Sequence, residues 1–128
     1  MKWLLDTNVA IQLRDSDHAT LDRLEALNGP LLLSVVSRIE LEGGVHQIPA
    51  EAAQRRERLD VLLETITVLD FGRGSAEAYR TIIEAVGFSP RKVLDRMIAA
   101  QAIAHDATLI TRNGDDFRDL PGLQLVMW

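Results

Sequence analysis

Short apolar runs alternate along the chain with longer stretches in which apolar side chains recur every three or four positions. This is the rhythm of strand–helix–strand units, and it predicts an α/β domain with a mainly parallel sheet. The runs place strands at Lys2–Leu5, Leu31–Val36, Ile66–Leu69, Thr108–Ile110 and Gln124–Met127. Between them, Ala19, Leu21, Leu24 and Leu27 line one helical face and leave a polar face over. Leu59, Leu62 and Leu63 do the same near the end of a helix beginning around Ala50. Ser75 is suited to cap a helix over Ala76–Val86, with Gly87 as its stop, and Ser89-Pro90 opens another that runs to about His105. No internal repeat, low-complexity segment or linker interrupts the pattern. With 128 residues, 47% of them hydrophobic, the chain fits a single domain over 1–128 whose core needs no staples.

Against this frame four acidic residues stand at places where strands and helices would deliver them to one mouth. Asp6 follows the run Trp3-Leu4-Leu5, and Asp116 follows Thr108-Leu109-Ile110 within Thr111-Arg112-Asn113-Gly114-Asp115-Asp116-Phe117. In an open parallel sheet the loops at the carboxyl ends of central strands face one crevice, so carboxylates far apart in sequence converge there. Glu40 falls on the first turn of the helix after the second strand. Asp95 heads an apolar stripe of Ile98, Ala99, Ala102 and Ile103, whose small members let a helix approach the sheet closely. Such a set points to a hard divalent cation with oxygen ligands, Mg²⁺ or Mn²⁺.

Each position also has a plainer explanation. Ser37-Arg38-Ile39-Glu40 fits the capping box, in which serine and glutamate satisfy each other's backbone N–H groups. Asp6 is able to cap the helix carrying Val9, Ile11 and Leu13. Asp95 would be favoured by a helix N-terminus alone. Asn113, Gly114, Asp115 and Asp116 are all ordinary turn residues.

Charge and composition narrow the classes. The net charge of −5 argues against a broadly basic nucleic-acid binder, yet it becomes −1 once the four proposed ligands are set aside, so the remaining surface is near neutral. The absence of cysteine excludes disulfides, thiolate zinc sites and a cysteine nucleophile, and agrees with a reducing compartment. No apolar run approaches the roughly 18 residues of a membrane span, and the N-terminus does not read as a leader, so a soluble cytoplasmic protein without membrane contact is expected. His18, His46 and His105 lack metal-motif spacing, and neither a Walker A nor a G-x-S-x-G pattern occurs.

The blocks Leu4-Leu5-Asp6-Thr7-Asn8, Val36-Ser37-Arg38-Ile39-Glu40, Asp95-Arg96-Met97-Ile98-Ala99-Ala100 and Thr111-Arg112-Asn113-Gly114-Asp115-Asp116-Phe117 resemble, in order and spacing, the PIN-domain ribonucleases, particularly VapC toxins. The resemblance runs end to end, including Pro121-Gly122-Leu123 and Trp128. It implies a PIN-like fold with a five-stranded, mainly parallel sheet between helices, and a Mg²⁺- or Mn²⁺-dependent endoribonuclease acting on structured RNA such as tRNA or rRNA. Asp6, Glu40, Asp95 and Asp116 fall on the family's metal-binding, catalytic positions, with Asp115 an adjacent alternative to the last. Asn8, Ser37, Thr111 and Asn113 are expected to support and orient them. Carboxylate-bound metal would activate water and stabilise the transition state. Arg91, Lys92, Arg96 and Arg112 flank the motifs and are available to hold RNA phosphates, with solvated surface as the alternative. The resemblance further implies a homodimer and a VapB-like antitoxin that blocks the acidic site and supplies the only link to DNA. Two rivals remain: a receiver-like phosphoacceptor domain using Asp70 and Thr111, and a catalytically inactive PIN-like binding module.

Overall fold

The computed structural model describes residues 1–128, and its centre is a five-stranded parallel sheet. The strands are β1 (Trp3–Leu5), β2 (Leu31–Ser34), β3 (Thr67–Leu69), β4 (Thr108–Thr111) and β5 (Gln124–Met127), in the order β3-β2-β1-β4-β5. Six helices connect them: α1 (Thr7–Arg14), α2 (His18–Glu25), α3 (Val35–Val45), α4 (Ala52–Thr65), α5 (Arg73–Val86) and α6 (Val93–Ala104). Every strand pair is parallel, and β1 registers Leu4 opposite both Leu32 and Leu109.

Alternation along each strand builds two cores. Leu4, Leu32 and Leu109 point to one face, where they meet Ile82 of α5 and Ile98, Ala99 and Ala102 of α6. Leu5, Leu33 and Ile110 point to the other, against Val9 and Ala10 of α1, Leu41 and Val45 of α3, and Leu59 and Leu62 of α4. The wholly buried alanines of α6 bring that helix close to the sheet, as their size predicts. Gly87 ends α5 at φ +83, a backbone conformation that favours glycine.

Three local expectations are corrected. The second strand stops at Ser34, and Val35 and Val36 belong to α3 despite their β-branching. Ser34 is the cap of α3, its Oγ accepting from Val36 N at 3.0 Å, so Ser37 and Glu40 lie within the helix and form no capping box. Ser75 does not cap α5. That helix starts at Arg73 after Gly72, and Ser75 is buried within its first turn.

The strand order fixes where a ligand belongs. From β1 the chain steps to β2 and β3 on one side, then returns to β4 and β5 on the other, so the connections diverge between β1 and β4. A crevice opens at the carboxyl ends of strands at such a reversal. Asp6 directly follows β1 there, its backbone N–H donating to Ile110 O of β4 at 2.9 Å.

Candidate metal centre

Asp6, Glu40, Asp95 and Asp116 line one open cleft of about 240 Å³ at this crevice, with Thr7, Asn8, Ile11 and Asn113. The lining contains no histidine, lysine or cysteine.

Asp6 is the most deeply set, only 5% exposed. Its Oδ1 accepts from Thr7 N at 2.8 Å, so it does cap α1, and its Oδ2 accepts from the Thr111 hydroxyl at 2.7 Å. Capping and cleft placement therefore coexist in one side chain. Burial raises its pKa; the Thr111 and Thr7 bonds pull the other way without cancelling it, and Asp116 adds a smaller upward push.

Glu40 reaches the cleft from the second turn of α3. Its Oε1 accepts from the Thr7 hydroxyl at 2.8 Å, and the same hydroxyl lies 2.8 Å from Ser37 Oγ. A hydroxyl carries one proton, so with Thr7 donating to Glu40, Ser37 donates to Thr7. Thr7 thus ties α1 to α3 and holds a candidate ligand. It was not among the expected site residues, although its place beside Asp6 at the start of a helix was a usable signal.

Asp95 sits in the first turn of α6 and is half-buried. Its pKa is pushed up to about 6, first by burial, then by the charges of Asp6, Asp116 and Glu40, with Lys92 pulling it down. All four carboxylates therefore share one field. Gln101, two turns further along α6, is wholly buried, accepts from Ser34 Oγ, and donates to Leu69 O at 3.0 Å and Asp70 O at 3.1 Å. This amide fixes the helix bearing Asp95 to the carboxyl ends of β2 and β3.

Asp116 closes a short turn, Gly114–Asp116, and its Oδ2 accepts from Asn113 Nδ2 at 2.6 Å. Asn113 N donates to Thr111 Oγ1 at 3.0 Å, and Asn8 Oδ1 accepts from Arg112 N at 3.3 Å. Asn8, Ser37, Thr111 and Asn113 thus all bond within the frame of the cleft. Asp115 does not line it; it points outward to Arg118 at 3.1 Å.

The basic residues divide. Arg91 is exposed, and Lys92 stands near enough to Asp95 to be felt by it. Arg112 is exposed beside Asn8. Arg96 is a correction: it is 5% exposed and donates from Nη1 to Gly87 O at 2.8 Å, so it binds the α5–α6 connection and is withdrawn as a phosphate contact. Asp70 follows the edge strand β3, outside the cleft, and the sheet order differs from the 2-1-3-4-5 order of receivers.

No group of three acidic side chains is already set in a ligating array around one point. The donor set of the four carboxylates suits a hard cation that retains much of its water and takes one or two carboxylates directly, as Mg²⁺ does.

A PIN domain family model matches residues 3–123. The chain is 32% identical over 135 residues to Ribonuclease VapC2 of Rickettsia felis, a match covering 100% of this chain and 98% of that protein. It is 27% identical over 135 residues to the tRNA(fMet)-specific endonuclease VapC of Shigella flexneri, again covering 100% and 98%. Among solved structures, VapBC2 from Rickettsia felis bound to a DNA fragment from their promoter matches with a TM-score of 0.87 at 30% identity, covering 100% of this chain and 99% of that one.

Proposed function

Since this chain belongs to the PIN-domain family and is VapC-like, we propose that it is a metal-dependent endoribonuclease toxin that cuts structured RNA in the cleft of Asp6, Glu40, Asp95 and Asp116. The observation that carries the reading is the convergence of these four carboxylates, from three separate regions of sequence and the β4 loop, on the crevice between β1 and β4. Bound Mg²⁺ or Mn²⁺ would supply Lewis acidity toward water and the scissile phosphate. The chain's own part is positioning. Thr111 and the Thr7 backbone fix both Asp6 oxygens, Thr7 aims Glu40, Asn113 aims Asp116, and Gln101 seats the helix that presents Asp95. Such supporting bonds orient ligands and commonly change metal affinity or activity by about 10–100-fold.

The test is to treat total RNA with purified protein and Mg²⁺ and to sequence the resulting ends, beside EDTA and Asp95→Asn controls. Site-limited cleavage that both controls abolish is the expected result. Cleavage that persists in EDTA would refute the mechanism, and intact RNA under all conditions would favour an inactive binding module.

The solved relative is a toxin–antitoxin assembly, which supports a small VapB-like partner for this chain too. We propose that this partner covers the acidic cleft through a basic side chain, and that the toxin is a homodimer in the complex. A saturated complex that still cleaves RNA at the free rate would refute the first point, and a monomeric mass the second. No helix is long and apolar enough to cross a membrane.

A further inference from the structure

A second cavity, of about 370 Å³, lies along α1 and α2, and Gln12, Asp17, Arg23, Arg112 and Trp128 are in its wall. The two sites are joined through β4. Thr111 donates its hydroxyl to Asp6 in the cleft and accepts Trp128 N on its carbonyl at 2.8 Å, while the next residue, Arg112, bonds Asn8 of the cleft through its backbone and lines the second cavity with its side chain.

That wall brings together two guanidinium groups outside any ion pair and an aromatic ring. Seven arginines of this chain are in ion pairs with carboxylates, and Arg23 and Arg112 are not among them. Arg23 lies over the Trp128 ring at 5.4 Å from its centroid, giving a stacked cation and aromatic plane. The only carboxylate in the wall, Asp17, is held by α2, accepting from Thr20 N at 3.0 Å and Thr20 Oγ1 at 2.8 Å, and Arg112 attracts it only as a weaker, longer-range effect without a direct ion pair. Free guanidinium groups take phosphate, and guanidinium and indole planes take unstacked bases, the usual means of holding single-stranded RNA. Gln12 adds an amide able to donate to and accept from a base edge.

We propose that this cavity is a nucleotide subsite that holds a residue of single-stranded RNA beside the scissile phosphate, with Arg23 and Arg112 on the backbone and Trp128 with Arg23 against the base. The proposal rests on the nuclease reading for its role, but its binding arm is independent of cleavage.

The protein to test is the Asp95→Asn chain, which should hold RNA without cutting it, carrying Trp3→Phe so that Trp128 alone fluoresces. The probes are uridine and adenosine octaribonucleotides and inorganic polyphosphate. Both oligonucleotides should quench Trp128 emission saturably, and more strongly than polyphosphate, which can engage the two arginines but offers no base to stack. Arg23→Gln with Arg112→Gln should weaken oligonucleotide binding about ten-fold or more. It should also flatten the plot of log K against log salt by about 1.4, since each single-strand phosphate contact contributes about 0.7. Removing two charges elsewhere, with Lys2→Gln and Arg80→Gln, should change neither. Anisotropy of a labelled oligonucleotide gives the same comparison without Trp3→Phe, should that change disturb folding. In cleavage-competent protein the Arg23/Arg112 pair should raise KM by the same factor and hold kcat within about two-fold, a split expected of binding made equally in ground and transition states. Unquenched emission on RNA saturation, quenching by polyphosphate as strong as by the oligonucleotides, or equal weakening by the control pair would overturn the subsite. Cleavage without quenching removes the subsite and leaves the nuclease; quenching without cleavage by the wild-type chain does the reverse.

Discussion

Asp95→Asn should trade function for metal-free stability, and the structure gives the size of the trade. A carboxyl whose pKa moves from 3.8 to about 6 on folding ionises in the native state at a cost of about 3 kcal/mol, at ~1.4 kcal/mol per tenfold. Asp95 is half-buried, so solvent screening reduces the usable part to roughly 1–2 kcal/mol. Asparagine keeps the shape and removes both the buried charge and its repulsion by Asp6, Asp116 and Glu40. The sign follows from proton counting. Between about pH 3.8 and 6 the native state holds the Asp95 proton while the unfolded state has released it, so wild-type stability falls as pH rises through that window. Above it the penalty is complete; below it both states are protonated and the penalty is absent. In EDTA at pH 7.5, Asp95→Asn should therefore melt roughly 3–8 °C above wild type, a difference that should shrink toward zero near pH 4. Mg²⁺ should reverse the ranking, because a ligand stabilises the native state according to its affinity and the variant lacks one of the proposed metal ligands. Melting curves at the two pH values, with EDTA and with Mg²⁺, supply all four comparisons. A lower melting temperature for the variant at pH 7.5 in EDTA, or a gain that persists unchanged at pH 4, would refute the account of a strained acidic cluster.

Glu40→Gln should cut RNA cleavage by at least about 100-fold with no loss of metal-free stability, since α3 is capped by Ser34, whereas Ser34→Ala should cost about 1 kcal/mol or more in urea unfolding for the lost cap and buried bond. Full cleavage by Glu40→Gln would remove that residue from the site. Thr7→Val should lower Mg²⁺ affinity and cleavage about 10–100-fold while Thr7→Ser retains both, because only the hydroxyl joins Glu40 and Ser37. Equal activity in the two Thr7 variants would show that the bridge does not matter.

How far the chain could be read in advance depended on whether each signal was local. The sequence pattern matches β5 to the residue and the three central strands to within two, because each is a short apolar run, broken cleanly at both ends except after β2. The end of β2 was misplaced for a physical reason. Val35 and Val36 continue an apolar β-branched run, and the pattern Ser37-x-x-Glu40 looks like a start signal. At the boundary Ser34 caps α3 through Val36 N and also gives its hydroxyl to the buried amide of Gln101, 67 residues away. That contact is invisible until the sheet and α6 are assembled. Arg96 illustrates the opposite case. Successive helical residues point about 100° apart, so an Asp95 facing the cleft already turns Arg96 elsewhere. The periodicity contained that correction, and grouping cations by nearness in sequence obscured it.

The same geometry explains how a chain of net charge −5 can serve a polyanionic substrate. Without a counterion the cleft is four carboxylates facing outward, and an RNA phosphate approaching it meets repulsion that neither Lys92 nor Arg112 alone offsets. On the proposed reading a divalent cation would change the sign of the cleft's contribution locally, and only where Asp6, Glu40, Asp95 and Asp116 converge. The rest of the surface stays near neutral, so on that reading RNA binding should be confined to the cleft and to the proposed subsite beside it. A chain built this way needs no basic face. Its affinity for RNA should follow metal occupancy, and the proposed basic side chain of a protein partner should silence it by taking the place of the cation.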